Sequence, residues 1–477
     1  MELTTFNRQV YIQRRQQLKA TLTNGVVLLM GNEESSMNYK DNCYPFRQDS
    51  TFLYYIGIDL PGLAAIIDLD EDREILFGEN ASMDDIIWTG PQPTVQELAE
   101  TAGIKESGNI SQLIKQLATQ KEKRPIHILP PYRPENKIKL SSWLRIPLAQ
   151  LDQEASPSPS GGGVYISLPL IRAVISQREI KESIEVEEMD KANSISADMH
   201  QAVIQLAKPG MKEYELAAKA EEIALANYGH LSYPTILTIN GQTLHNHFHG
   251  NTIQEGNMVL IDAGAETHMH YAGDLTRTFP AGKQFSSRQR DMYAIVLNAL
   301  DHAVSLLKPG IQFKEVHTQA CIKLCEGLQA VGLMKGNATE AVAAGAHTLF
   351  FQCGLGHMIG LDVHDMEDLG EQYVGYDDQL KKSKEFGWKS LRLGKALKAG
   401  FTLTVEPGIY IIPELIDRWQ AEQKNSAFIN YELLNDYRDF GGVRIEDNFL
   451  ITTTGSKKLG KTLPNSIEEI EELRQHA

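Results

Sequence analysis

Apolar and polar positions along this chain switch repeatedly between a helical period and a strand period. Phe6–Lys19 carries its apolar residues at helical spacing, and Val26–Met30 is a short unbroken apolar run of the kind a buried strand needs. Leu63–Asp68 and Glu74–Phe77 predict a strand pair turning through the acidic Asp70–Asp72, and Ile126–Leu129 predicts a further strand. This alternation predicts an α/β domain at the N-terminus. The stretch 152–163, DQEASPSPSGGG, is too rich in Pro, Ser and Gly to bury much and reads as a linker. Beyond it Ile184–Leu206, Glu213–Tyr228 and Ser287–Leu307 read as amphipathic helices. The second stops at Gly229, and the third starts behind Ser286 as N-cap. Strand patterns follow at Thr235–Ile239, Met258–Asp262, Thr402–Ile412 and Val443–Thr452. AVIQLAKPGM (202–211) and AVSLLKPGI (303–311) both end a helix on Lys-Pro-Gly, which suggests a duplicated helix-plus-strand unit.

Composition narrows the class. A chain of 477 residues exceeds one ordinary core, so two or more domains are expected. A hydrophobic content of 42% with 23% charged residues fits a soluble globular protein, and a net charge of −16 disfavours nucleic acid and anionic membranes as partners. The polar N-terminus has no apolar signal region, and no apolar run approaches the ~20 residues a membrane span needs. The four cysteines form no CxxC, so a reducing, cytoplasmic location is expected. Cys321 and Cys325, four apart on a predicted helix, read as small buried residues rather than paired ligands.

Acidic residues inside apolar strand patterns carry the chemistry. Asp262 follows Val259, Leu260 and Ile261, Glu406 interrupts LTVEPGIYI (403–411), and Glu446 interrupts VRIEDNFLI (443–451). Asp274 lies twelve residues after Asp262, beyond a glycine-containing stretch. One Asp after a strand is ordinarily a turn or cap residue. Four carboxylates so placed are costly unless paired or metal-bound. His357, in Gly-Leu-Gly-His, adds an imidazole as ligand, with His364 seven residues on as a histidine that supports the ligands or acts in catalysis. Four carboxylates carry more negative charge than one divalent ion offsets, whereas two such ions balance them, the arrangement that activates water for hydrolysis. An oxygen-rich donor set suits Mn²⁺, with Zn²⁺, Co²⁺ or Fe²⁺ as alternatives. His245, His247 and His249 alternate, and on a strand they would share one face as a zinc site. One functional histidine beside two surface ones is the favoured reading there, and His268 and His270 are read still more firmly as non-functional.

These motifs together resemble the prolidase and aminopeptidase P family of metallopeptidases. They are IDAGAETHMHYAGDLTRTFP (261–280), CGLGHMIGLDVHD (353–365), LTVEPGIYI and GGVRIEDNFLI (441–451). The resemblance spans nearly the whole chain, with YPFRQDSTFLYYIGIDLPG (44–62) similar to the non-catalytic domain. It implies an α/β N-terminal domain over 1–172, and an α+β pita-bread catalytic domain, creatinase- and methionine aminopeptidase-like, over 176–466. It further implies that Asp262 binds one metal, that Asp274 and Glu446 bridge, and that His357 and Glu406 hold the other. Glu406 would move the proton between water and leaving nitrogen, while His245 and His364 would face the substrate. Arg444 matches an arginine of both branches, and Arg392 matches the prolidase arginine that grips a dipeptide carboxylate. The implied enzyme hydrolyses Xaa-Pro bonds of small peptides as a cytoplasmic homodimer, with dipeptides favoured through Arg392 and longer peptides the alternative. Cys353 departs from the family's usual histidine there and bears on pocket polarity. Non-catalytic pita-bread binding modules lose the ligands that this chain keeps.

Overall fold

The computed structural model describes residues 5–152, 154–155 and 162–475, and the chain divides into two compact units, Met1–Arg178 and Glu179–Ala477. Residues 153 and 156–161 of the predicted linker lie outside the described residues, and Gly163 already opens a strand.

In the first unit Val26–Met30 lies in a seven-stranded mixed sheet, antiparallel to Ala64–Asp68 and parallel to Pro125–Ile128. The acidic turn closes because Asp68 Oδ1 accepts from the backbone N–H groups of Asp70 and Glu71. The first helix runs Arg8–Thr21 rather than from Phe6, since Asn7 caps it by accepting from Gln9 N. Two arginines of that helix are buried. Arg15 donates to Tyr55 O and Ala102 O and pairs with Glu74 at 2.8 Å, so its charge is satisfied inside the unit.

The second unit is built twice over. Helices α1 (Ser183–Leu206) and α2 (Glu213–Ala226) flank the first Lys-Pro-Gly, and α3 (Ser287–Leu306) and α4 (Phe313–Ala330) flank the second. Gly210 and Gly310 take φ of 94° and 91°, which Cβ-bearing residues rarely adopt. Their N–H groups donate to Ile253 O and Leu397 O, and the N–H of Glu213 and of Phe313 to Asn251 O and Lys395 O. The two halves therefore enter their sheets in the same way.

The first half's sheet is β1 (Ile236–Thr238), β2 (Met258–Ala263) and β3 (Leu275–Pro280), with β2 in the middle and all pairs antiparallel. In the second half β4 (Thr402–Val405) pairs with β7 (Asp447–Ile451), and β5 (Gly408–Tyr410) with β6 (Gly442–Arg444). The single strands expected over Thr402–Ile412 and Val443–Thr452 are thus each broken in two. Pro407 has no N–H for a ladder, and beside it Glu446, opposite Glu406, turns its N–H to Thr276 O on β3 instead. Both breaks fall at one level of the pair, and Glu406 and Glu446 lie in them. Arg277, fully buried, secures this level with bonds to Asp447 Oδ1, Glu446 O and Thr276 O.

Candidate active site

The broken level of the second sheet and the end of the first open on one cavity of about 690 Å³. Asp262 sits on β2, Asp274 just before β3, Glu406 just after β4 and Glu446 just before β7, and all four line it with His357. Segment 355–359 runs alongside β4, with Glu406 N donating to Leu355 O and Thr404 N to His357 O. A Cβ at Gly356 would stand 2.0 Å from Thr404 O, so glycine is needed for that approach.

Donor atoms of Asp274, His357 and Glu446 lie within 4.8 Å of one another. His357 Nε2 is 3.4 Å from Asp274 Oδ2 and 3.6 Å from Glu406 Oε1. Its Nδ1 lies 3.0 Å from Met358 O, an acceptor only, so Nδ1 carries the proton and Nε2 keeps a lone pair in the neutral ring. Tyr233 places its hydroxyl 2.5 Å from both Asp262 Oδ1 and Asp274 Oδ1. Arg444 is the buried cation of the cluster. It donates to Asp262 Oδ2 at 2.5 Å, to the Tyr410 hydroxyl at 3.0 Å and to Thr276 Oγ1 at 3.1 Å, and Thr276 in turn donates to Glu446 Oε2. Asn448 brackets Asp274 by bonds to its N–H and its carbonyl.

His245, His247, His364 and Arg392 also line the cavity. Residues 244–250 form no strand, so the three alternating histidines share no strand face, and His249 is not in the lining. His268 stacks on Tyr228, and His270 bonds Glu266, both outside the lining. His364 Nδ1 lies 2.6 Å from Glu367 Oε2, and that bond holds the Glu367 carboxyl down at about 2. Arg392 pairs with Glu367 at 3.2 Å and Glu371 at 3.7 Å, both through Nε. Cys353 Sγ is 3.9 Å from the Tyr410 hydroxyl, and burial pushes its thiol up to about 12, so it is a neutral wall of the cavity.

The whole length of the chain has relatives. Residues 187–453 match metallopeptidase family M24, and 11–128 match the N-terminal domain of aminopeptidase P. The chain belongs to metallopeptidase family M24. Xaa-Pro dipeptidase of Homo sapiens is 31% identical over 99% of this chain and 93% of its own length. The probable Xaa-Pro aminopeptidase pepP of Aspergillus niger is 30% identical over 97% and 95%. Aminopeptidase P from E. coli, solved with the inhibitor Pro-Leu, superposes with a TM-score of 0.79 at 28% identity, covering 99% of both chains.

This M24 chain is a metallopeptidase with the pita-bread catalytic fold, and its cluster fits divalent ions. Burial, then repulsion from Asp274, Glu406 and Asp262, pushes the Glu446 carboxyl well above its ordinary value. Burial raises Glu406 to about 7 against the pull of Arg444. Four carboxylates with Arg444 as their close cation leave negative charge to be balanced. Glu446 Oε1 is buried with no hydrogen-bond partner, and the single Tyr233 proton cannot serve two carboxylates. Tyr233, Tyr410, Thr276 and Glu367 had gone unmarked in the sequence. Asn448, a polar residue within an apolar strand, carried the same signal as the carboxylates. Among the described residues no helix is long and apolar enough to cross a membrane.

Proposed function

We propose that this enzyme hydrolyses the peptide bond before proline and prefers dipeptides. The observation that carries the reading is the convergence of Asp262, Asp274, His357, Glu406 and Glu446 on one cavity that Arg392 also lines. Relatives named Xaa-Pro dipeptidase and Xaa-Pro aminopeptidase match from end to end. Asp262 would hold one ion, His357 and Glu406 the other, and Asp274 and Glu446 would bridge them. The oxygen-rich set favours Mn²⁺. When bound, the ions polarise the scissile carbonyl and lower the pKa of water from about 15.7 towards about 7.

The chain's own groups do the rest. Glu406 takes a proton from the attacking water and delivers it to the proline nitrogen as the C–N bond breaks. His364, its Nδ1–H held by Glu367, donates from Nε2 when protonated to the oxyanion that develops, and His245 serves the same face. Arg444 keeps Asp262 in place and adds a positive charge beside the substrate. Arg392 receives the C-terminal carboxylate of a dipeptide with its terminal amino groups. On the family resemblance we place the enzyme in the cytoplasm as a homodimer.

Substrate length tests the proposal. With Mn²⁺-loaded enzyme, Gly-Pro is expected to be cleaved with higher kcat/KM than a longer Xaa-Pro-Yaa peptide. Arg392→Ala should raise KM for the dipeptide by roughly 10- to 100-fold, the loss of a charge-assisted bond. Equal kcat/KM for both peptides in the unaltered enzyme would refute the dipeptide preference.

A further inference from the structure

A second group of metal-ligating side chains lies in the catalytic unit, apart from the five just described. His317 and Cys321 stand one turn apart on α4, and His347 comes from the 3₁₀ turn Ala346–Leu349. Their exposures are 1%, 0% and 2%. One donor atom from each lies within 4.8 Å of the other two. Nδ1 of His317 and Nδ1 of His347 are both buried with no hydrogen-bond partner. An unsatisfied buried polar atom costs roughly 1–3 kcal/mol, and an ion held by Cys321 Sγ and the Nε2 of His317 would satisfy the His347 Nδ1. The surrounding rings do not supply a partner. Trp388 meets both imidazoles edge-on, at 5.0 and 5.7 Å between centroids, and Phe351 lies 5.8 Å from His317.

We propose that His317, Cys321 and His347 form a binding site for a transition-metal ion of the zinc class. The donors, two imidazole nitrogens and one thiolate, are of the type that selects such ions. Cys321 Sγ lies 3.5 Å from His317 Nε2. Metal–sulfur and metal–nitrogen bonds of about 2.3 and 2.0–2.1 Å at a tetrahedral angle span an edge of about 3.5 Å. Burial keeps the rings neutral, at about 3 for His317 and about 4 for His347, so neither needs to lose a proton to ligate. Cys321 does need to: its S–H proton leaves to solvent as the metal–sulfur bond forms, and no oxidant takes part. The fourth tetrahedral position is left to a non-protein ligand.

The site lies against the wall of the active cavity. Gln352 and Cys353, three and four residues beyond the 3₁₀ turn, line that cavity, and so do Lys389 and Ser390, which follow Trp388. An ion here would pin the turn to α4 and stiffen that wall.

Co²⁺ is the probe, added anaerobically to the full chain whose active centre has been loaded with Mn²⁺. A thiolate ligand gives a near-ultraviolet thiolate-to-cobalt charge-transfer band that carboxylate and imidazole ligands do not give. The band is expected in the unaltered chain and in Cys353→Ser, and should be absent from Cys321→Ser. Zn²⁺ should also raise the Tm of the unaltered chain but not that of His347→Asn. No band at saturating Co²⁺ would overturn the proposal even if the Cys321 variant fails to fold. So would a band that disappears in Cys353→Ser, or a Tm that Zn²⁺ leaves unmoved.

Discussion

The two halves of the catalytic unit answer one structural problem differently. Each has a helix pair joined through Lys-Pro-Gly and, after it, a strand that brings a carboxylate to the cavity. In the first half that carboxylate is Asp262, inside the continuous strand Met258–Ala263. In the second it is Glu406, displaced from the ladder where Thr402–Val405 stops before Pro407. Asp274 and Glu446 match in another way, each immediately preceding the strand that pairs antiparallel with the first. A short Asp reaches the cavity from regular strand geometry, whereas the longer Glu comes with a broken ladder. The second half also carries the segments with His357, His364 and Arg392, so carboxylates line the cavity from both halves and Arg392 and Arg444 from the second.

The largest expected effect separates the equivalent carboxylates by role. Glu406→Ala should lower kcat on an Xaa-Pro peptide by roughly 10²- to 10⁴-fold, the range for a lost proton-transfer group, with an unchanged far-ultraviolet circular dichroism spectrum. Retained turnover would remove the distinction between Glu406 and Asp262. Next comes the cation the two halves share. Arg444 rises from the second half to bond Asp262 of the first, so in metal-free protein Arg444→Met leaves buried carboxylates without that charge. A loss of about 3–5 kcal/mol in denaturant unfolding is expected. A loss within about 0.5 kcal/mol would mean the halves hold together without it.

A smaller effect tests the helix pair. His200 on α1 is buried and bonds Ala263 O, while Leu300 lies one hundred residues on in α3, the separation of the two Lys-Pro-Gly sites. Burial depresses His200 from 6.5 to about 4. Its neutral form stabilises the fold fully above pH 6.5, and that contribution is lost as pH falls through about 4, because the unfolded chain takes up the proton first. The loss is on the order of 3 kcal/mol. In His200→Leu this decline between pH 6.5 and 4 should shrink, which parallel urea titrations would detect. An identical decline would place the acid sensitivity elsewhere.

Much of this was legible in the sequence because the signals are local. Strand runs announced Met258–Ala263 and Val26–Met30, Ser286 announced the start of α3, and charge inside apolar patterns announced all four carboxylates. Pro407 could have forecast the strand break, but Ile445 opposite it could not. That break depends on β3 capturing the Glu446 N–H from far along the chain. Tyr233 sits in an irregular loop with no periodic pattern, and its meaning comes only from two carboxylates that tertiary folding brings to its hydroxyl. Cys321 read as packing, since nothing nearby in sequence reveals that His347 arrives beside it. The alternating His245, His247 and His249 misled for the opposite reason, suggesting a strand where the chain forms none.

Electron paramagnetic resonance of the Mn²⁺-loaded enzyme tests the central claim most directly, that carboxylates from both halves hold two ions side by side. Two ions bridged by Asp274 and Glu446 should give a spin-coupled spectrum that Glu446→Ala abolishes. The hyperfine sextet of an isolated ion in the unaltered enzyme, with peptidase activity intact, would contradict it.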